Sequence, residues 1–544
     1  MILKLCYICF FFFSFSILSG ELKLYDDLYP IEGASKILYS YEFGDAPYFL
    51  ERLNQDIFLI MTLDGNDIEL YEYNLSKDTI IMKMEFECDS DESIENYLIK
   101  GNELLLFTTY STKESIIGKG TTGFLDKLII INLDRYEVKD CRYVFSNYNI
   151  EDFEYTNWEN DCEFCSDTVN EDAFTVDFEK LDIIPNEYRE IRTTYNKDST
   201  IKNYLGLVYS KADKTRYIYS GNLDLNTLKN TSSINKFEDN NGWMNINYIH
   251  LDEKANVYFL GEQYNDKNKS RVLIASKITP EGVMTSSIKD ISHIKNENWI
   301  THGTFEQLKN ENNKLSLFGY TKHGEVDKWY KDPNASFILI GLNLKTLEIE
   351  YKEKNISIDE GKKLNNNDYE LRFNNISKVM ETKDSFILLT ETYEAIGSTR
   401  SYNYTTNQLF YAFLEDINLI SMDRDLNIKW NKHIYRDFKD LRLKMGPIRG
   451  NYIDRFNTNS LYLKPEFNEN EISFTYTTTE PEDEIIRVIF DLNTGEKIYQ
   501  QSIFENDGII SYFPWNHINV GNNEYVGILN KLDNYIVRYK LFKK

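Results

Sequence analysis

The sequence predicts an all-β fold, an eight-bladed β-propeller, and three observations support this prediction. Aromatic residues are abundant, with 40 Tyr and 33 Phe in 544 residues, and such residues favour strands. Short polar turns recur between apolar runs along the chain. A strand-like run near the start has no neighbouring partner, whereas the last set of runs lacks a fourth strand.

The repeating unit is clearest between residues 385 and 436. An apolar run at 386–393 leads through a polar loop to a second run around Ile417, the turn 423–427 and a returning run through Trp430. Alternating apolar runs bounded by such turns are typical of strands. The unit is therefore predicted to be strand, loop, strand, tight turn and strand.

Seven segments can be aligned on that turn, and each follows one strand-like run and precedes another. Asn, Asp and Gly suit these positions because they tolerate left-handed backbone or bond to nearby backbone groups. Every interval between turns is longer than the roughly 40–50 residues that one four-stranded blade needs, so each interval holds one blade and its insertions. The segments are 73–79, 132–138, 224–230, 277–283, 343–349, 422–428 and 491–497.

The two chain ends predict how the ring closes. The run 36–43 has no partner before it, and the final set, 509–542, stops after three strands. Pairing both ends within one blade removes the open edges and apolar faces of a radial array. We therefore expect eight blades, with 36–43 completing the last one. Seven blades remain the alternative because the set 204–237 is poorly punctuated, and a β-solenoid would have shorter, more uniform repeats.

The unit 385–436 resembles the repeat of secreted bacterial β-propeller proteins of uncharacterised function. The likeness rests on Leu389 to Tyr393, Asp416-Ile417 and the segment 423–430, and 260–264 repeats its first half. The turn has Leu426-Asn427 where such repeats often have Asp-Gly or Asn-Gly. The resemblance implies a fold and a compartment, with no defined activity.

The N-terminus predicts export. Residues 1–20 contain one cation, Lys4, then an apolar run at 5–18 and a small pair, Ser19-Gly20, which is typical of a cleaved signal peptide. A membrane anchor is the alternative, although the run is short for a span of about 20 residues. The remainder, 21–544, is predicted to be a single propeller domain with an insertion at about 146–195. We expect a secreted, periplasmic or extracellular protein without a membrane span after signal cleavage.

Charge disfavours one class of partner. Lys and Arg number 61 against 87 Asp and Glu, which gives a net charge of −26. Such a chain repels nucleic acid and anionic membrane faces. The acidity is consistent with a protein that stays soluble outside the cell.

Four cysteines follow the signal peptide: Cys88, Cys141, Cys162 and Cys165. An oxidising compartment permits disulfides, and four cysteines allow three connectivities. The even number predicts that no reactive thiol remains free. Zinc would require a second close pair or histidines at ligand spacing, which the sequence lacks.

The sequence predicts no catalytic residue, cofactor or metal site. It has no G-x-S-x-G elbow, H-E-x-x-H pair or complete calcium loop. Glu262 and Glu391 occupy the same place in two blades, and paired carboxylates can hydrolyse glycosides. We expect each instead to bond neighbouring backbone or a tyrosine. Trp430 is expected to pack between blades.

Loop lengths predict a functional face. In a four-stranded blade, the loop between strands two and three and the connection to the next blade emerge together, and the long segments all belong to these two kinds. We call this the long-loop face, and the side with the short repeat turns the turn face. The long segments are 111–124, 321–336, 394–409, 147–194, 352–370 and 435–457.

Aromatic and basic residues on those loops are candidate ligand contacts, since sugars and peptides need flat apolar surfaces beside hydrogen-bonding groups. The expected function is a non-catalytic binding or scaffold propeller for a glycan, peptide or protein. A propeller glycoside hydrolase or lyase is the alternative. The candidate residues are Lys328, Trp329, Tyr330, Arg400, Tyr402 and Tyr404.

Overall fold

A computed structural model describes the chain over a series of segments, and every regular element in them is a β-strand. In these described segments, thirty-six strands, β1–β36, form eight sheets of mainly antiparallel strands, arranged as a ring. The described residues are 28–30, 35–43, 47–64, 67–88, 92–112, 123–146, 174–175, 190–210, 215–237, 243–265, 270–292, 299–300, 305–311, 313–323, 334–356, 375–382, 384–397, 408–445, 465–468, 470–478, 484–506, 511–512, 518–530 and 534–542.

Each sheet is one blade, with its first strand innermost, and blades 1 to 4 follow chain order. Blade 2 has a fifth strand, β11 (Phe174–Thr175), which pairs parallel to β10. The main strands are β3 (Pro47–Arg52), β4 (Ile57–Asp64), β5 (Asp67–Asn74) and β6 (Thr79–Glu87) in blade 1; β7 (Glu92–Lys100), β8 (Glu103–Thr112), β9 (Gly123–Asn132) and β10 (Glu137–Ser146) in blade 2; β12 (Glu190–Tyr195), β13 (Ile201–Ser210), β14 (Thr215–Asp224) and β15 (Lys229–Phe237) in blade 3; and β16 (Trp243–Leu251), β17 (Val257–Asn265), β18 (Ser270–Ile278) and β19 (Met284–Asp290) in blade 4.

Blades 5 to 8 complete the ring, and in blades 5 and 8 two short strands share the innermost position. Their strands are β20 (Trp299–Ile300), β21 (Glu306–Glu311), β22 (Lys314–His323), β23 (Asn334–Asn343) and β24 (Ile349–Ile356) in blade 5; β25 (Asn375–Glu381), β26 (Ser385–Gly397), β27 (Gln408–Asp423) and β28 (Ile428–Met445) in blade 6; β29 (Glu466–Phe467), β30 (Glu471–Thr478), β31 (Glu484–Asp491), β32 (Lys497–Asn506) and β1 (Leu28–Pro30) in blade 7; and β33 (Ser511–Tyr512), β34 (Ile518–Gly521), β35 (Glu524–Asn530), β36 (Asn534–Leu541) and β2 (Ser35–Phe43) in blade 8.

The N-terminal strands close the ring as predicted. Strand β2 pairs antiparallel with β36, from Ser35 opposite Leu541 to Phe43 opposite Asn534, and supplies the missing outer strand of blade 8. Strand β1 pairs antiparallel with β32 and adds a fifth strand to blade 7. The eight-bladed prediction is confirmed, and the segment 204–237 that left seven blades open lies within a regular four-stranded blade 3.

The apolar core is divided among the interfaces between blades. Eight clusters of buried side chains correspond to the eight interfaces, each built from two neighbouring blades. Between blades 4 and 5, for example, Leu260 packs with Leu317 and Ile340, and all three are fully buried. Each such burial contributes about 1.5–3 kcal/mol, so the blades stabilise one another through their faces.

The repeat turns are fixed by an acceptor side chain, an Asn, Asp or Thr, where the preceding strand ends. In blade 2, Asn132 Oδ1 accepts the backbone N–H groups of Asp134 at 2.9 Å and Arg135 at 3.0 Å. The next residue, Leu133, donates its N–H to the Asn102 carbonyl at 2.8 Å, which ties this turn to the turn between strands one and two. The same leucine bond recurs in other blades at Leu75, Leu225, Leu344, Leu492 and Leu541.

A left-handed residue in each turn reaches the interface with the preceding blade. Leu426 has a φ of 63° and is fully buried against blade 5. A large side chain in this region is strained, and burial offsets the strain. Leu426 therefore occupies a packing position where related repeats often use glycine. Tyr136, Leu228 and Leu347 also combine positive φ with packing against the preceding blade.

Two turns have glycine at the left-handed position because the preceding blade fills the space. A Cβ on Gly495 would lie 2.6 Å from Trp430 Cε3, and one on Gly282 would lie 2.6 Å from the Cβ of Ser233. The Trp430 indole N–H also donates to the Asn493 carbonyl at 3.1 Å. The expectation that Trp430 packs between blades is confirmed.

An arginine joins the last blade to the first on the turn face. Arg538 donates to Asp78 Oδ1 and to the Leu75 carbonyl, both at 3.0 Å, and to Glu524 Oε2 at 2.8 Å. Asp78 is the left-handed residue of its turn, and it also accepts the Tyr73 hydroxyl at 2.9 Å. This contact adds a charged clamp at the interface where the ring closes.

Deleting residues 21–43 removes both β1 and β2 and leaves blade 8 open. We expect insoluble protein, or a Tm lowered by roughly 10 °C or more, because the outer edge and part of the blade 8 core become exposed. The matched control deletes 21–34, which removes β1 and retains β2. Calorimetry of the two truncated proteins would contradict the closure if both had the same Tm as the intact chain.

Acid is expected to weaken the closing interface. The Arg538 hydrogen bond to Glu524 holds the pKa of that carboxyl below its usual value of 4.5. Its contribution to stability is complete above about pH 4.5 and is lost as pH falls through the lowered pKa. Denaturant unfolding of the wild type and Glu524→Gln should differ most near neutral pH and converge in acid. A difference that stays constant from pH 7 to pH 3 would refute this linkage.

Candidate functional site

Strand topology separates the ring into two unlike faces. Strand β8 ends at Thr112 opposite Gly123, where β9 begins, so the connection 113–122 leaves from the same end of the blade as the connections between blades. The opposite ends of the strands carry the short capped turns. The segments that join strand ends on the long-loop face include 113–122, 147–189, 324–333, 357–374, 398–407 and 446–464.

Blade 6 extends farther on this face than its neighbours. Strands β26, β27 and β28 have 13, 16 and 18 residues, against ten in β22 and ten in β23 of blade 5 and eight in β30 of blade 7. Their pairing continues to Gly397 opposite Phe410 and to Gln408 opposite Met445. The loop predicted at 394–409 and the connection predicted at 435–457 are therefore partly strand, because the hairpin register continues beyond the ring.

The predicted ligand contacts lie outside the described residues. Lys328, Trp329 and Tyr330 belong to the connection between His323 and Asn334, which are paired at the end of the β22–β23 hairpin. The candidates on 398–407, Arg400, Tyr402 and Tyr404, belong to the connection between β26 and β27. Both connections join strand ends on the long-loop face of neighbouring blades, 5 and 6.

The two glutamates considered as a catalytic pair belong to blades 4 and 6, with blade 5 between them. Glu262 forms a salt bridge with Arg271, and the two side chains are 3% and 6% exposed. Breaking a buried ion pair is costly because it leaves an uncompensated charge. Glu262 is thus bound by an arginine and also accepts the Asn247 amide at 3.5 Å, and only the backbone of Glu391 is described.

Further charged groups are buried towards the long-loop ends of the strands. Asp126, near the start of β9, is 4% exposed and accepts the Thr109 hydroxyl at 2.8 Å. The adjacent Lys127 is 3% exposed, and its Nζ lies 5.9 Å from the centre of the Tyr143 ring. Asp126 and Lys127 are paired with Thr109 and Thr108 across the connection 113–122. Local sequence patterns do not show this pairing, so sequence analysis missed the two charged groups.

No group of three or more His, Cys, Asp or Glu that could hold a metal occurs among the described residues. His250 lies near the turn face, and burial lowers its pKa, which favours the neutral imidazole. Its neighbour Tyr258 lies with its ring centre 6.1 Å away. Burial first, and then the nearby Asp252, raises the pKa of Tyr258 to about 12. These groups are neutral at physiological pH.

Two of the four candidate disulfide cysteines can be located. Cys88 and Cys141 both lie in the core cluster between blades 1 and 2, at 8% and 9% exposure. Cys162 and Cys165 lie outside the described residues. The disulfide pairing remains a prediction. Within the part of the chain that is described, no helix is long and apolar enough to cross a membrane.

No protein-family model matches the chain, and no curated protein matches it. Solved structures do match. The WD40 domain of SCAP from fission yeast is 11% identical, with 95% of this chain and 98% of that chain covered and a TM-score of 0.34.

Two further structures match over most of their length. An uncharacterised protein of Listeria monocytogenes is 9% identical over 86% of this chain and 97% of that chain, with a TM-score of 0.33. The β-propeller domain of the Trilobed protease from Pyrococcus furiosus is 10% identical over 83% and 98%, with a TM-score of 0.31. The matched structures are propeller proteins of diverse kinds, and none of them assigns this chain an activity.

Proposed function

We propose that this protein is a secreted, non-catalytic binding or scaffold propeller that recognises its partner on the long-loop face. The observation that supports the proposal is the difference between the two faces. Short, capped turns occupy one face, whereas the long connections and the blade 6 extension belong to the other. Binding residues concentrate on loops held by a rigid scaffold.

The proposed partner is a glycan, a peptide or a protein surface. Trp329 and Tyr330 offer adjacent aromatic rings, and Lys328 precedes them in a chain of net charge −26. A local cation beside aromatic rings suits an acidic glycan or peptide. Arg400, Tyr402 and Tyr404 repeat this combination on the neighbouring blade, so two connections would contribute to one contact area.

A binding role fits the described carboxylates better than glycan cleavage. Glycoside hydrolysis needs two carboxyl groups facing one bond, about 5–9.5 Å apart. Glu262 is buried in an ion pair with Arg271, and Glu391 belongs to a strand two blades away. This favours recognition over the hydrolase or lyase alternative.

Binding is expected to depend on the long-loop face and not on the turn face. Glycan and peptide arrays probed with the mature chain would identify a ligand. Trp329→Ala is then expected to weaken binding at least about 10-fold, the loss of one aromatic anchor, without changing Tm. Arg135→Ala, on an exposed turn-face arginine, is the matched control and should bind normally.

Three results would contradict this proposal. Loss of binding in Arg135→Ala would place the contact on the turn face. A lower Tm with unchanged binding in Trp329→Ala would make that tryptophan a loop anchor. Release of new reducing or unsaturated sugar ends from a bound glycan would favour the enzymatic alternative.

A further inference from the structure

A pair of buried polar side chains in blade 6 has no hydrogen-bond partner among the described residues. Thr390 on β26 and Asn418 on β27 are opposite each other in the sheet register, and both are fully buried. Within the part of the chain that the structure describes, Thr390 Oγ1, Asn418 Oδ1 and Asn418 Nδ2 all lack a partner. An unsatisfied buried amide or hydroxyl costs about 1–3 kcal/mol, so the arrangement calls for a bound group that satisfies it.

In blade 1 the polar side chains at the equivalent positions do form hydrogen bonds. Thr62 occupies the place of Thr390, and its hydroxyl donates to Glu69 Oε2 at 2.8 Å, where Glu69 is the register partner. The Tyr71 hydroxyl donates to the same oxygen at 2.8 Å. The cross-strand pair in blade 1 is therefore complete within the protein, whereas the pair in blade 6 is not.

Blades 4 and 5 show that a polar pair is not needed for packing. Their equivalent pairs are Gly261 with Ile274 and Gly319 with Ile338. An isoleucine at the position of Asn418 is thus compatible with the sheet geometry. The amide in blade 6 would cost stability without a compensating contact, which makes a specific guest the simplest physical account of it.

The surroundings limit the guest to a small, uncharged molecule. The pair Thr390 and Asn418 lies next to Leu388 and Ile420. These two residues pack against Phe318 and Phe337 of blade 5 in an apolar cluster. Two described ion pairs, Arg424 with Glu381 in blade 6 and Lys352 with Asp425 between blades 5 and 6, lie towards the turn face. An ion in an apolar cluster without a countercharge would carry a large desolvation cost.

We propose that Thr390 and Asn418 bind an ordered water molecule between blades 5 and 6. A water needs two to four polar partners, and this pair offers three atoms. The water either accepts a hydrogen bond from Asn418 Nδ2 and donates one to Thr390 Oγ1, or accepts from the Thr390 hydroxyl and donates to Asn418 Oδ1. The site is independent of the ligand proposed on the long-loop face, so either proposal can fail alone.

The direct test is a crystal structure of the full mature chain at about 1.8 Å resolution or better. We expect a density peak about 2.7–3.2 Å from the Asn418 side chain and from Thr390 Oγ1. Absence of a peak there would overturn the proposal. A peak with anomalous signal after a bromide soak would show that the site binds an anion instead of a water, which would also overturn the proposal.

The Tm of Thr390→Val is a second test, because the direction of its change differs with and without a bound water. With a bound water, the isosteric variant removes one of its partners and should lower Tm by about 1–2 °C. Without one, the variant removes an unsatisfied hydroxyl and should raise Tm. Thr62→Val is the matched control, because it breaks an existing hydrogen bond to Glu69 and must lower Tm.

Discussion

Burial between neighbouring blades is the interaction on which this structure depends. A four-stranded blade has two apolar faces and cannot cover either by itself, so each face is stable only against the next blade. The eight core clusters correspond to the eight interfaces. One interface joins blades from opposite ends of the chain, and its apolar cluster contains Tyr39 and Phe43 of β2 beside Phe58 and Ile60 of blade 1. The stability of every interface is therefore coupled to the N-terminal strand.

Tyrosine hydroxyls donate hydrogen bonds to carboxylates at these interfaces. The hydroxyl of Tyr136 in blade 2 donates to Glu72 of blade 1 at 3.1 Å, and Tyr97 donates to Glu51 across the same interface at 2.8 Å. Burial and then the adjacent carboxylate raise the pKa of both tyrosines, so the neutral donor persists at physiological pH. A chain with 40 Tyr and 87 acidic residues can thus place carboxylates beside its core with few cations.

The sequence predicted the parts of the fold that local patterns encode. All but one of the seven turns have an Asn or Asp acceptor where the preceding strand ends, and the spare run 36–43 pairs where the missing strand required it. Short or polar inner strands such as β21 (EQLKNE) and β29 (EF) were missed, because a strand near the axis need not alternate strongly. The clamp between Arg538 and Asp78 joins residues 460 positions apart, so no local pattern could reveal it. The candidate site lies on long connections. Their aromatic and basic composition predicts ligand contacts, but it does not determine the positions of these side chains in space.

Hydrogen exchange of the N-terminal strand tests the central claim most directly. If β2 is the outer strand that closes blade 8, its paired amides should exchange as slowly as those of β36. Mass spectrometry of the intact mature chain would show protection of peptides covering 35–43 that matches peptides covering 534–541. Rapid exchange of 35–43 beside a protected 534–541 would show that the strand is not stably paired, and it would contradict closure of the ring by the N-terminus.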